Sequence, residues 1–272
     1  MSSVLGLFRP VNAVMAVLGT FISSLVALGS HILDNLALVS IASLCVFLVL
    51  SGGNILNDIL DAEGDKVNHP HRPIPSGKIS KESAMYLFIS CFTVAIFIAA
   101  IFLPLYGTVI VGAAILLLIY YETKGKYLGL PGNLTVSALI GLIFLFGGVI
   151  FGEPQKTIIL FFLAMFSNAS RELIKDVQDY DGDVDRRTYP RIHGKISALN
   201  LSSAFIVVTL ILSILPYAFH IFALPYLLVV IVCDACFIVT LGIQYKNAKK
   251  GQQFSKLSMI LGLLSFAVGG IA

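Results

Sequence analysis

Residues 36–65 read LALVSIASLCVFLVLSGGNILNDILDAEGD: an uncharged run over 36–56, then four acidic side chains, Asp58, Asp61, Glu63 and Asp65, within the nine residues 57–65. A helix needs about 20 apolar residues to cross the roughly 30 Å of bilayer hydrocarbon, so the run has the length of one crossing. The carboxylates then fall where that helix leaves the oil. Comparable runs recur along the chain, such as LFISCFTVAIFIAAIFLPLY and LIGLIFLFGGVIFG. They are apolar on every side and lack the polar face that a helix of a water-soluble protein shows. Across 272 residues, 57% are hydrophobic, 12% are charged and the mean hydropathy is +0.93. The composition predicts an all-α membrane protein and excludes a soluble one.

Apolar runs set against polar breaks predict nine transmembrane helices, at 11–29, 36–56, 84–103, 105–121, 134–151, 157–174, 198–218, 222–244 and 255–272. They form one bundle and one domain, 1–272. Only Pro104 divides the third span from the fourth. With the amino terminus cytoplasmic and the carboxyl terminus outside, 17 of the 18 lysines and arginines fall on the inner face and only Lys156 lies outside. Cationic segments resist translocation, so this asymmetry supports both the orientation and the span count. The net charge of +3 then describes an inner basic rim in a cell membrane and calls for no nucleic-acid partner. The opening MSSVLGLFRPVN lacks the basic region of a signal peptide, so no cleavage is expected.

The two longest inner loops, about 57–83 and 175–197, carry one pattern twice. Asp58, Asp61 and Asp65 are spaced D-x-x-D-x-x-x-D, and Asp176, Asp179 and Asp183 repeat the spacing 118 residues later, with Gly64 matched by Gly182. On a helix, positions i, i+3 and i+7 lie within about 60° of one another, so each triplet forms an acidic stripe. The chain thus reads as two related aspartate-bearing helical units with an active site at the cytoplasmic side. Two acidic stripes on one membrane face repel unless cations lie between them. All-oxygen donors suit a hard ion such as Mg2+, which keeps waters and phosphates as further ligands.

The neighbouring cations fit a phosphate: Arg72 and Lys78 after the first motif, Lys175 before the second, and Arg186, Arg187 and Arg191 after it. The segment YYETKGKYLGLPGN adds Tyr120, Tyr121, Lys124 and Lys126. Other patterns carry less. DVQDYDGDVD lacks the acidic residues a calcium loop needs at Val177 and Thr188. Cys233 and Cys236 form a C-x-x-C without the second pair a zinc site requires, and His69 and His71 lack further ligands. A cation transporter would place its acids near mid-membrane, where only Asp234 lies.

Asn57-Asp58, Asp61 and Asp65, together with Asp179 and Asp183, the RPVN opening at 9–12 and the YYETKGKYLGLPGN segment, resemble the UbiA-type intramembrane prenyltransferases, over nearly the whole chain. NDILDAEGDKVNHPHRPIPSGKIS and RELIKDVQDYDGDVDRRTYP look most like the archaeal digeranylgeranylglyceryl phosphate synthases. That resemblance implies Mg2+-dependent transfer of a geranylgeranyl group from geranylgeranyl diphosphate to the sn-2 hydroxyl of geranylgeranylglyceryl phosphate, in archaeal ether-lipid biosynthesis. Relatives that prenylate aromatic acceptors share both motifs. It further implies two Mg2+ bridging the diphosphate, held by Asn57, Asp61 and Asp65 and by Asp179 and Asp183. Asp58, Asp61, Asp176, Asp179 and Lys175 are the expected catalytic set. Arg72, Lys78, Lys124, Lys175 and Arg187 are expected on the diphosphate, and Arg9, Asn12, Tyr121 and Lys126 on the acceptor. The prenyl chain and the lipid acceptor would arrive through the membrane, with Gly141, Gly147, Gly148 and Gly152 either lining a lateral groove or serving as packing contacts. Nothing in the sequence sets the oligomeric state.

Overall fold

The computed structural model describes residues 3–182 and 187–271, and among them every regular element is helical. The chain divides into two compact units, Met1–Phe21 with Leu33–Thr123, and Ile22–Ile32 with Lys124–Ala272. Along the chain run α1 (Ser3–Leu7), α2 (Pro10–Leu28), α3 (Leu36–Leu60), α4 (Ala62–Asn68), α5 (Lys81–Phe102) and α6 (Leu105–Thr123). Then follow α7 (Leu130–Ile150), α8 (Pro154–Gln178), α9 (Tyr189–His193), α10 (Lys195–Ser213), α11 (Leu215–Ala218), α12 (Leu224–Ile243) and α13 (Ala248–Ile271). Eight segments are long and apolar enough to cross a membrane, the first being the 51-residue run Pro10–Leu60, which takes in α2, a 3-10 turn and α3. The break expected at Pro104 is present, since α5 ends at Phe102 and α6 starts at Leu105.

In the first unit α3 packs against α5 and α6. Below its end, Leu7, Ile55, Ile59, Ala62, Ile74 and Ile79 form a core with Ala84 and Cys91. That core fixes the two segments that flank the first motif, the α1 end and the turn at 72–79. Ser80 starts α5 as an N-cap, its hydroxyl accepting from Ser83 N–H at 3.1 Å. The outer faces are oily: Phe97 is 64% and Leu116 69% exposed, a cost in water that lipid removes.

In the second unit α8 is central, packed on α7, α10 and α13 around Leu160, Leu163, Ile206, Tyr226 and Phe266. Three glycines of α7 are contact points. A Cβ at Gly147 would meet Ser23, one at Gly148 would meet Thr157, and one at Gly141 would lie 2.7 Å from Phe161 O. They serve helix packing, which corrects the lateral-groove reading. Gly152, at φ +75°, belongs to the turn before α8. Cys233 is buried, its thiol donating to Ser258 O at 3.1 Å, as a core residue.

The motifs sit differently from the expected loops. Helix α3 continues to Leu60 and α8 to Gln178, past the predicted ends at 56 and 174, because backbone bonding continues through the acidic turn. Each helix is 25 residues long, the two are offset by 118, and they end on Asp61 (φ −89°, ψ 3°) and Asp179 (φ −89°, ψ 4°). The stripe in the first unit is therefore no single helix face: ψ near 0° departs from the helical value of about −42°. Even so, Asp61 N–H bonds Asn57 O and Asp65 N–H bonds Asp61 O, both at 2.9 Å, so the register carries into α4.

Candidate active site

Carboxylates at the end of a helix face the negative pole of its dipole, and they persist there only with cations nearby. In the first unit those cations come from either side in sequence. Arg9 Nη2 donates to Asp58 Oδ1 at 2.5 Å and to Asn57 Oδ1 at 2.7 Å. Arg72 Nη1 lies 2.6 Å from Asp65 Oδ2 and 3.5 Å from Asp58 Oδ1. The Asp58 side chain is only 3% exposed, a burial that its ion pairs make tolerable. Asn57 Nδ2 donates to Asp61 Oδ2 at 3.0 Å and to Glu122 Oε2 at 2.8 Å. Arg9 adopts φ +47°, a left-handed conformation that costs a non-glycine residue about 1–2 kcal/mol. Arg72 is fixed by its own turn, in which Arg72 N–H bonds His69 O and Ser76 N–H bonds Arg72 O, each at 3.0 Å.

The second unit surrounds its aspartates with different neighbours. Asp176 Oδ2 accepts from the neutral Asn133 Nδ2 at 2.8 Å. Arg171 and Lys175 lie on α8 itself, with Glu172 between them at 2.5 Å from Arg171 Nη1 and 3.8 Å from Lys175 Nζ. Asp179 is half-buried and accepts from Gln178 Nε2 at 3.2 Å. Past the helix, the Tyr180 ring lies 4.8 Å from the Arg191 guanidinium and 4.2 Å from the Lys195 ammonium, and Arg191 also donates to Tyr180 O. Arg191, expected on a polyanion, thus holds this turn. Asp183, with Arg186, lies outside the described residues. Gly129, at φ +68°, lies so close to the 187–189 backbone that a Cβ would sit 2.8 Å from Arg187 O.

The structure gathers Arg9, Asn57, Asp58, Asp61, Asp65 and Arg72 into one cluster, in which Arg9, expected on the acceptor, lies against Asn57 and Asp58. Asn12 is exposed on the first turn of α2, and Lys78 is exposed at the end of the turn begun by Arg72. Tyr121 is half-buried near the end of α6, Lys124 and Arg187 are exposed, and Lys126 lies 5.5 Å above the Tyr127 ring. Glu122, Asn133 and Glu172 belong to these networks without having been expected there. Each had a signal: Glu122 ends an otherwise uncharged helix, Glu172 interrupts two cations, and Asn133 sits in Pro131-Gly132-Asn133 as Asn12 does in Pro10-Val11-Asn12.

Among the described residues, no three Asp, Glu, His or Cys side chains converge as a formed cage. Asp58 and Asp65 are instead turned onto guanidinium groups. Mg2+ needs only one or two protein carboxylates beside waters and phosphate oxygens, and Asn57, Asp61 and Asp65 in one unit and Asp179 in the other supply hard oxygens of that kind.

The family model described as the UbiA prenyltransferase family matches residues 16–264. A protein of Methanosphaera stadtmanae named digeranylgeranylglyceryl phosphate synthase is 35% identical over all of both chains. One of the same name from Methanococcus aeolicus is 37% identical, over 98% of this chain and 97% of its own. A solved digeranylgeranylglyceryl phosphate synthase superposes with a TM-score of 0.87 at 33% identity, covering 99% of this chain and 98% of that one. A UbiA homologue of Archaeoglobus fulgidus, solved with DMAPP and Mg2+, shares the fold at TM-score 0.71 and 18% identity, covering 98% and 100%. With a family model matching residues 16–264 and relatives 35% and 37% identical along nearly the full chain, this chain belongs to the UbiA prenyltransferase family.

Proposed function

We propose that this chain transfers a geranylgeranyl group from geranylgeranyl diphosphate to the sn-2 hydroxyl of geranylgeranylglyceryl phosphate and releases diphosphate. The observation that carries the reading is the pair of matched helices, α3 and α8, each ending on an aspartate in the same backbone geometry, in a chain similar along its full length to proteins named for that reaction.

Asn57, Asp61 and Asp65 would hold one Mg2+ and Asp179 and Asp183 a second, both ions serving the diphosphate. When bound, the metal neutralises the charge that grows on the leaving group. Arg72, Lys78, Lys124, Lys175 and Arg187 add charge-assisted donors for phosphate oxygens. Asp58 carries both guanidinium groups on one oxygen and acts by holding Arg9 and Arg72 in place. The bond between allylic carbon and diphosphate oxygen breaks, the acceptor oxygen bonds to that carbon, and the hydroxyl proton passes to the departing diphosphate. Asn12, Tyr121 and Lys126 are assigned to the acceptor side, and Tyr121 presents an aromatic face that would favour the allylic cation.

Both substrates are lipids, which suits a chain whose outer faces are apolar. The 51-residue run Pro10–Leu60 would extend about 76 Å as one helix, more than twice the bilayer hydrocarbon, so we count α2 and α3 as separate crossings and reach nine. Nine crossings with the amino terminus cytoplasmic place both motifs at the cytoplasmic face.

The test is a radiolabelled transfer assay in liposomes with geranylgeranyl diphosphate and Mg2+, offering geranylgeranylglyceryl phosphate or hydroxybenzoate. Label in the ether lipid, abolished by EDTA, supports the reading. Label only in the aromatic acid overturns the acceptor, and no transfer to either overturns the function.

A further inference from the structure

Glu122 is a buried carboxylate at the last turn of α6, a helix whose other residues carry no charge. A buried carboxylate is costly unless paired or hydrogen-bonded partners offset its desolvation. One of its contacts is the Asn57 amide, with Nδ2 2.8 Å from Glu122 Oε2. The same nitrogen is 3.0 Å from Asp61 Oδ2, while Asn57 Oδ1 receives Arg9 Nη2 at 2.7 Å.

This arrangement permits only one orientation of the amide. Ionised carboxylates accept and never donate, and a guanidinium donates and never accepts. Turning the amide over would set Oδ1 against two carboxylates and Nδ2 against a guanidinium, losing three hydrogen bonds and adding repulsion on both sides. The orientation matters because only Oδ1 of an asparagine can ligate a hard cation, and after accepting from Arg9 it keeps a second lone pair. Asp61 is aligned by the same nitrogen.

We infer that Glu122 is a positioning residue that fixes the Asn57 amide and, through it, sets the divalent-cation affinity of the first carboxylate set. The inference rests on the reading that Asn57 is a Mg2+ ligand. Removing a partner that orients a metal ligand lowers metal affinity about 10- to 100-fold.

The test is Mn2+ binding, followed by electron paramagnetic resonance on purified protein with inorganic diphosphate, for wild type, Glu122→Leu, Glu122→Gln, Asn57→Ala and the Asn57→Ala/Glu122→Leu pair. Glu122→Leu should weaken one Mn2+ by about tenfold. Glu122→Gln, whose amide oxygen still accepts from Asn57, should bind within about threefold of wild type if the accepted hydrogen bond is what matters. On the Asn57→Ala background, Glu122→Leu should add nothing, since a residue acting through Asn57 has lost its target. In the transfer assay the Mg2+ requirement should rise while kcat at saturating Mg2+ stays unchanged. Wild-type Mn2+ affinity in Glu122→Leu, weak binding in Glu122→Gln equal to that of Glu122→Leu, or additive effects with Asn57→Ala would each overturn the inference and leave the proposed function standing. Absence of Mn2+ binding by the wild type would overturn both. Should Glu122→Leu fail to fold, Glu122→Ala takes its place in each of these comparisons, with the same outcomes supporting or overturning the inference.

Discussion

Leu36–Leu60 and Pro154–Gln178 have the same length and end in the same backbone geometry, yet Asp58 takes Arg9 and Arg72 as partners while Asp176 has the Asn133 amide among its own. Position 57 holds an asparagine and its counterpart 175 a lysine. In the first unit the balancing cations arrive from segments before and after the helix. In the second, α8 carries two cations of its own, Arg171 and Lys175, and they lie against Glu172. A repeated carboxylate pattern can thus stand among different neighbours, guanidinium groups from distant segments in one unit and an asparagine amide in the other, and the two settings differ in what a mutation would break.

The largest effects should ignore that difference. Asp61→Ala and Asp179→Ala should each reduce prenyl transfer by about a thousandfold, as should EDTA, with Mg2+ restoring only the EDTA-treated wild type. Activity within tenfold of wild type for either variant, read in the liposome assay, would mean that the two helix ends are not functionally equivalent.

Exchanging position 57 for its counterpart should sharpen the comparison. Asn57→Lys sets an ammonium against Arg9 and removes the amide oxygen, and we expect a loss of about a hundredfold in transfer rate, of the size seen when one preorganised group is removed. Lys175→Asn deletes one cation from a helix that also carries Arg171, and its loss should be nearer tenfold. Equal losses would erase the distinction.

Stability should separate the units by less. Asp58→Asn replaces the carboxylate that Arg9 and Arg72 share with a neutral amide and should destabilise by about 2 kcal/mol, whereas Asn133→Ala, which takes one neutral donor from Asp176, should cost about 1 kcal/mol. Thermal unfolding in detergent would read the difference, and the reverse order would contradict the assignment of charge balance.

Glu63 gives the smallest effect. The Lys66 ammonium bonded to it at 2.7 Å holds its carboxyl below the usual glutamate range. Any stability from that pair is present above the ordinary carboxylate pKa and fades as pH falls through the lowered value. Because both groups are exposed, Glu63→Gln should leave the neutral-pH melting temperature and the transfer rate unchanged. A clear drop in the transfer rate would show that the motif's exposed edge takes part in the chemistry, and a drop in melting temperature alone that the pair stabilises the turn.

Much of this was legible beforehand. Apolar runs located every long helix, but α3 and α8 continue through their acidic ends, α10 stops at Ser213 short of 218, and α13 begins at Ala248, ahead of 255, because helix also runs through Lys249 and Lys250. The acidic ends were read as loops because charge usually marks the exit from a helix, whereas here backbone bonding through Asp61 and Asp179 persists. Arg9 was expected on the acceptor and lies on Asp58, 49 residues away in sequence. Glu122 went unnoticed because a lone acid after a membrane helix looks like an interfacial residue until Asn57, 65 residues away, is placed beside it. The α7 glycines carried two readings until Ser23, Thr157 and Phe161 were found against them.

By itself the sequence determined a helical membrane protein with one carboxylate pattern twice, since hydropathy over a span and spacing along a turn are local properties of the chain. Only the tertiary structure decided which cation meets which carboxylate and which amide atom faces outward, because those pairings join residues that nothing but packing brings together.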